Sequence, residues 1–158
     1  MTKRVGIVGL GRIGMPSAKA FISAGYEVVG YARRPEVVER FRSLGGEPVS
    51  SPKEVARKAE TVIVLVLNDA QVIEVVTGSG GILEGVGKNS RVIGMATINR
   101  ENQEWMARKC AEKGVGFSDC PFTGGPARVE TGALTLIVAA PSPLVESCRP
   151  VLEVIGKI

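Results

Sequence analysis

The pattern Gly9-x-Gly11-x-x-Gly14 constrains this chain more than any other stretch. It follows the short apolar run Val5-Gly6-Ile7-Val8 and precedes a helical pattern in which Ala18, Phe21 and Ile22 share a face with Gly14. A strand before and a helix after is the context that a dinucleotide-binding turn requires. Gly9 allows the tight turn, Gly11 lacks the Cβ that would keep a pyrophosphate away, and Gly14 lets the helix pack close to the sheet. The first N–H groups of such a helix have no internal partners and lie at the positive end of its dipole, which suits a phosphate. The competing reading is a glycine-rich turn without a ligand.

A second strand is expected over Glu27–Ala32, with Arg33 and Arg34 just past its end. An NAD-selective fold carries an acidic residue about 20 residues beyond the glycines, to hold the ribose 2′-hydroxyl. Two guanidiniums stand there instead. They are planar forks matched to phosphate oxygens and favour NADP(H) over NAD(H); otherwise they are a solvated pair in a loop.

The rest of the chain alternates helices and strands. Pro35–Leu44 reads as a helix ended by Gly45-Gly46. Ser51-Pro52-Lys53-Glu54 reads as a capping box opening a helix to Ala59. Thr61–Leu67 is apolar and β-branched, the pattern of a strand buried on both faces of a parallel sheet. Asn68 and Asp69 follow at its carboxyl end, either as a cofactor wall or as caps of a helix over Ala70–Val76. Arg91–Met95 is a further strand. Asn99 caps a helix over Arg100–Lys113 that places Met106, Cys110 and Lys113 on one face, with Trp105 as packing. Val115–Asp119 reads as a strand followed by a rigid turn-rich loop, Cys120–Pro126. Leu134–Ala140 is the last clear strand. Ser142-Pro143 opens a final helix that Pro150 should kink or interrupt, and a further strand is expected to begin at Gly156-Lys157-Ile158. Strands alternating with helices predict an α/β fold: a single-domain, Rossmann-type, doubly wound, mostly parallel sheet.

Composition narrows the function. At 158 residues one domain is the natural division, with enough chain for a core. The net charge of +4 is spread out and aromatics are only 4%, so one anionic pocket accounts for it better than a nucleic-acid surface. No apolar run reaches a membrane span. Met1-Thr2-Lys3-Arg4 leads straight into the first strand, so no signal peptide is expected. There is no histidine, and Cys110, Cys120 and Cys148 form no Cys-x-x-Cys pair. Neither a metal site nor a disulfide framework is expected, and reduced cysteines fit a cytoplasmic protein.

Several motifs in order then resemble the β-hydroxyacid dehydrogenase family, which includes 3-hydroxyisobutyrate dehydrogenase-like enzymes and is related to 6-phosphogluconate dehydrogenase. Gly6–Pro16 looks like the family's opening, and Arg33 stands where NADP-using members tend to carry an arginine. Val64–Asp69 looks like the loop that covers the cofactor. Thr97 falls on the threonine of a Ser-Thr pair near nicotinamide and substrate. Asp119-Cys120-Pro121-Phe122-Thr123-Gly124-Gly125, followed by Gly132-Ala133-Leu134, is similar to the substrate-loop signature. The resemblance implies that Thr123, Gly124 and Gly125 bind a substrate carboxylate, and a hydroxyl beside successive backbone N–H groups does form an anion nest. It further implies that Gly9, Leu10, Gly11, Arg12, Ile13 and Gly14 hold the pyrophosphate end. Ala32, Arg33 and Arg34 would hold the 2′-phosphate end, and Leu67, Asn68 and Thr97 would line the approach to the nicotinamide.

The chain departs from that pattern in four places. Ala96 replaces the serine of the pair, and Ala139-Ala140 replaces a common Gly-Gly. Arg128 stands where a small residue is usual, as a cation for a second anion or as a solvated side chain. Finally, none of the eight lysines lies in the family's catalytic motif. That motif belongs to an all-helical second domain, so no catalytic residue is assigned here. The expectation is a truncated or fragmentary NADP(H)-binding domain, residues 1–158, of an oxidoreductase acting on a small β-hydroxy acid or semialdehyde. The alternative is a catalytically inactive cofactor sensor or interaction module. The face left for the helical domain would be apolar and would favour a homodimer.

Overall fold

The computed structural model describes residues 3–158; Met1 and Thr2 of the leading tetrapeptide lie outside the described residues. Six strands form one parallel sheet: β1 (Arg4–Val8), β2 (Glu27–Tyr31), β3 (Glu47–Pro48), β4 (Thr61–Val64), β5 (Arg91–Gly94) and β6 (Gly116–Asp119). Their order is β3-β2-β1-β4-β5-β6, and every neighbouring pair is parallel.

The pleat sends alternate residues to opposite faces, and each face has its own helices. Val5, Ile7, Ile63 and Ile93 pack with residues of α1 (Gly14–Ser23), α2 (Pro35–Ser43), α6 (Pro126–Glu130) and α7 (Ser142–Ile155). Val8, Val62, Val64 and Val92 pack with residues of α3 (Pro52–Lys58), α4 (Asp69–Thr77) and α5 (Arg100–Glu112). Phe21 and Phe41 are fully buried on the first face, each contributing roughly 1.5–3 kcal/mol relative to exposure. The doubly wound α/β fold is therefore present as predicted. Among the described residues no helix is long and apolar enough to cross a membrane.

Several local expectations are corrected. The strand expected to reach Leu67 ends at Val64. Leu65 still donates its N–H to the Val8 carbonyl at 2.8 Å, but the chain then peels away and Leu67 is 86% exposed. Those apolar residues line a cleft instead of a sheet. Pro150 does not interrupt α7, which is continuous through it. Pro150 and Glu146 both face solvent, so the carbonyl that loses its N–H partner is open to water. Ser51 accepts from the Glu54 N–H at 3.2 Å, whereas the Glu54 carboxylate turns to Arg57 at 2.8 Å, leaving the capping box one-sided. Lys113 is exposed beyond the end of α5 while Met106 and Cys110 are buried.

The stretch after β6 is also more ordered than a loop. β7 (Phe122–Thr123) pairs antiparallel with β8 (Leu134–Leu136), and β9 (Gly156–Lys157) pairs parallel with β8, giving a second, three-stranded sheet. The strand expected to reach Ala140 stops at Leu136, although Ala139 makes a bridge to Asp119.

Candidate functional site

The order of the main sheet reverses between β1 and β4, and in such sheets ligands bind outside the carboxyl ends of the strands at that switch point. A cleft of about 560 Å³ opens there. Its walls are the turn after β1, the end of β2 and the segment after β4. Gly9, Leu10, Gly11, Arg12, Ala32, Arg33, Arg34 and Leu67 all line it.

The three glycines of the turn differ in what requires them. Gly9 has φ +104° and is wedged between strands: a Cβ there would lie 2.5 Å from the Leu65 carbonyl oxygen, and its N–H donates to Tyr31 at 3.2 Å. A Cβ on Gly14 would lie 1.9 Å from the Gly9 carbonyl oxygen. The fold itself demands both. Gly11 is different, because a Cβ there meets nothing within 4 Å and its φ is not positive. Its missing side chain leaves open space facing the cleft, the kind of cradle a pyrophosphate needs. Gly14 and Ile13 sit at the start of α1, where no side chain caps the helix and no acidic residue lies in the first turn. By contrast, Ser51, Asn68 and Asn99 cap α3, α4 and α5 with their side-chain oxygens.

The cations of the cleft are unequally engaged. Arg34 precedes α2, and its guanidinium lies 3.8 Å from the Glu36 carboxylate. Arg33 is exposed and has no ion-pair partner among the described residues. Arg33 is therefore the freer of the two to meet an anion.

The remaining predicted residues lie along the carboxyl edge of β4, β5 and β6 and do not line that cleft. Asn68 caps α4, accepting from the Gln71 N–H at 3.0 Å. Asp69 is not the cap: its carboxylate reaches the next loop, accepting from the Asn99 N–H at 3.1 Å and from Asn102 Nδ2 at 2.5 Å. Thr97 is exposed in the loop after β5. Thr123 ends β7, and Gly124 and Gly125 link it to α6; all three are exposed, Gly124 has φ +122°, and Gly125 faces open space.

Residues that were not foreseen tie this edge together. Gln103 Nε2 donates to Asp119 Oδ2 at 3.0 Å and to the Ile98 carbonyl at 3.3 Å. The first turn of α5 thus holds the loop after β4 through Asn102 and the start of the substrate-loop signature through Gln103. Partial burial raises the carboxyl pKa of Asp119 above its ordinary value. Burial, with Asp119 and Cys148 nearby, pushes the Cys120 thiol up to about 12, so Cys120 is no nucleophile at neutral pH. Gln71 holds the cleft wall by accepting from the Leu67 N–H at 2.8 Å. Its spacing from Asn68 was the one visible signal; nothing in the sequence marked Asn102 or Gln103. Tyr31, Val37, Val66 and Val75 also line the cleft, where their apolar character reads simply as core.

A glycine turn opening onto the switch point of a doubly wound parallel sheet defines a Rossmann-type NAD(P)-binding domain. The chain belongs to the family described as the NAD binding domain of 6-phosphogluconate dehydrogenase, whose model matches residues 4–158. It is 33% identical over 159 residues to L-threonate dehydrogenase of Cupriavidus necator, covering 100% of this chain and 54% of that protein. It is 34% identical over 152 residues to the mitochondrial 3-hydroxyisobutyrate dehydrogenase of Mus musculus, covering 96% of this chain and 45% of that one. The solved structure of 3-hydroxyisobutyrate dehydrogenase from Salmonella typhimurium is similar with a TM-score of 0.91 and 26% identity, over 98% of this chain and 54% of that one. The chain spans about half the length of the curated relatives it matches.

Proposed function

We propose that this chain is the NADP(H)-binding part of an oxidoreductase acting on a small β-hydroxy acid or the corresponding semialdehyde. The observation that carries the cofactor reading is the open face of Gly11 above the uncapped start of α1, in a cleft where Arg33 has no partner among the described residues. Bound there, the nicotinamide cofactor would supply or accept the hydride.

The chain's own residues bind and orient. The turn from Gly9 to Gly14 would hold the pyrophosphate on backbone N–H groups. Arg33, with Arg34 beside it, would hold the 2′-phosphate, as guanidinium forks do. Leu67, Asn68 and Thr97 would flank the nicotinamide end. Thr123, Gly124 and Gly125 would hold the substrate carboxylate on a hydroxyl and two amides. Resemblance to the family assigns the proton donor to a lysine of a helical domain, and no residue of 1–158 takes that role. The named relatives are dehydrogenases, which supports an enzymatic role over a non-catalytic sensor.

Calorimetric titration with NADPH and with NADH tests the cofactor assignment. The expected result is a preference of about tenfold for NADPH, equivalent to roughly 1.4 kcal/mol. That preference disappears in Arg33→Ala. Equal affinities in the unaltered chain would overturn the 2′-phosphate role and leave the fold untouched.

A further inference from the structure

Arg128 lies one helical turn beyond the Thr123-Gly124-Gly125 loop, in α6. Helical side chains lean back toward the N-terminus of their helix, so this one leans over the loop. A Cβ on Gly124 would lie 2.9 Å from Arg128 Cδ and 3.4 Å from Arg128 Cβ. The stem of the arginine therefore covers the face of Gly124, and the guanidinium extends from that contact.

Among the described residues nothing pairs with its charge. Arg128 is exposed and has no ion pair among the described residues. The neighbouring carboxylate, Glu130, pairs with Lys19 at 3.9 Å instead. Only the backbone of Arg128 is engaged locally: its N–H donates to Gly125 at 3.0 Å, and its carbonyl accepts from Ala133 at 2.7 Å. Beside it, Gly125 faces open space with an ordinary negative φ of −111°. No atom of the described residues would meet a Cβ at Gly125 within 4 Å, which leaves room for a ligand next to the unclaimed cation.

We propose that Arg128 is a specificity residue selecting hydroxy acids that carry a second anionic group, a carboxylate or a phosphate. The inference rests on the reading of Thr123–Gly125 as the holder of the first carboxylate. One anion sits on the hydroxyl and amides of that loop, and the second meets the guanidinium fork, whose geometry matches either group. A monoacid of the same length leaves the fork without a partner.

The test is binding of matched acid pairs to the NADPH-loaded chain, followed by calorimetry: malate against 3-hydroxybutyrate, and phosphoglycerate against glycerate. The diacid of at least one pair binds about tenfold more tightly than its monoacid, the scale of a hydrogen-bonded charge pair. The pair that separates identifies the second group. Arg128→Ala abolishes the separation while NADPH affinity is unchanged, and Arg128→Lys retains part of it. No separation in either pair, or separation that persists in Arg128→Ala, overturns the proposal. Thr123→Ala distinguishes this from failure of the underlying reading. If Thr123→Ala weakens diacid and monoacid alike while Arg128→Ala leaves their ratio alone, only the role of Arg128 is wrong. If Thr123→Ala weakens neither, or no acid binds, the carboxylate loop is wrong and the proposal falls with it.

Discussion

Replacing Gly11 with alanine separates the needs of the cofactor from the needs of the fold. A Cβ at Gly11 meets no protein atom within 4 Å and requires no unusual backbone angle. Gly→Ala at such a position stabilises a protein by about 0.4–1 kcal/mol, through the unfolded chain. For a chain of this size a gain of 1 kcal/mol raises Tm by roughly 2–4 °C. Gly11→Ala should therefore melt at the same temperature or slightly higher. Its added methyl would occupy the face at which the pyrophosphate is proposed to approach, so NADPH affinity should fall about tenfold or more, a loss of at least 1.4 kcal/mol. Gly14→Ala is the control: its Cβ would sit 1.9 Å from the Gly9 carbonyl oxygen, so stability and binding are lost together. Differential scanning fluorimetry with and without NADPH, alongside calorimetric titration, reads both quantities. A Gly11→Ala chain that binds NADPH as tightly as the parent, or that unfolds like Gly14→Ala, would refute the division of labour within the turn.

Three further outcomes follow from buried polar groups. Ser118 Oγ is buried without a hydrogen-bond partner among the described residues, so Ser118→Ala should raise stability by about 1 kcal/mol, seen as a higher urea midpoint with an unchanged slope; a lower midpoint contradicts it. Asp119 has a carboxyl pKa raised by burial, so the folded state binds a proton more readily than the unfolded one as pH falls toward 3.8. The parent should gain stability relative to Asp119→Asn as pH falls through the raised folded value, and lose that gain as pH rises through it; a difference that stays constant with pH in urea melts counts against this. Cys110 and Cys120 have thiols pushed up to about 12 by burial, and all three cysteines are buried. A soluble disulfide reagent at pH 8 should label none of them until the chain unfolds, and rapid native labelling of any one would disprove that burial.

How much of this could be read in advance varied with the range of the interactions. The fold class was legible because most of the longer elements announce themselves locally: the glycine turn, the β-branched runs, and the caps at Ser51, Asn68 and Asn99. The lining of the cleft was legible at Gly9 to Arg12 and at Ala32 to Arg34. In the small second sheet, β8 and β9 were expected as strands, whereas β7 was hidden because two residues carry no alternation. Leu65-Val66-Leu67 looked like strand because a cleft wall and a sheet interior are equally apolar. Pro150 misled because the cost of a helical proline depends on whether the freed carbonyl is buried, which its local sequence does not reveal. Asp69 and Asp119 found partners 30 to 33 and 16 residues away, on a helix whose polar first turn reads only as surface.

That helix also sets how the rim of the domain breathes. Amides of Leu67, Asn99 and Asn102 are each held by a side-chain oxygen, and Gln103 fastens the end of β6 to the same turn. Fraying the start of α5 would therefore free Asp69 of α4, the Asn102 amide and Asp119 at the end of β6 together, while the Leu67 amide stays on Gln71 of α4. The amides of Asn99 and Asn102 should then exchange at a common rate that the Leu67 amide does not share.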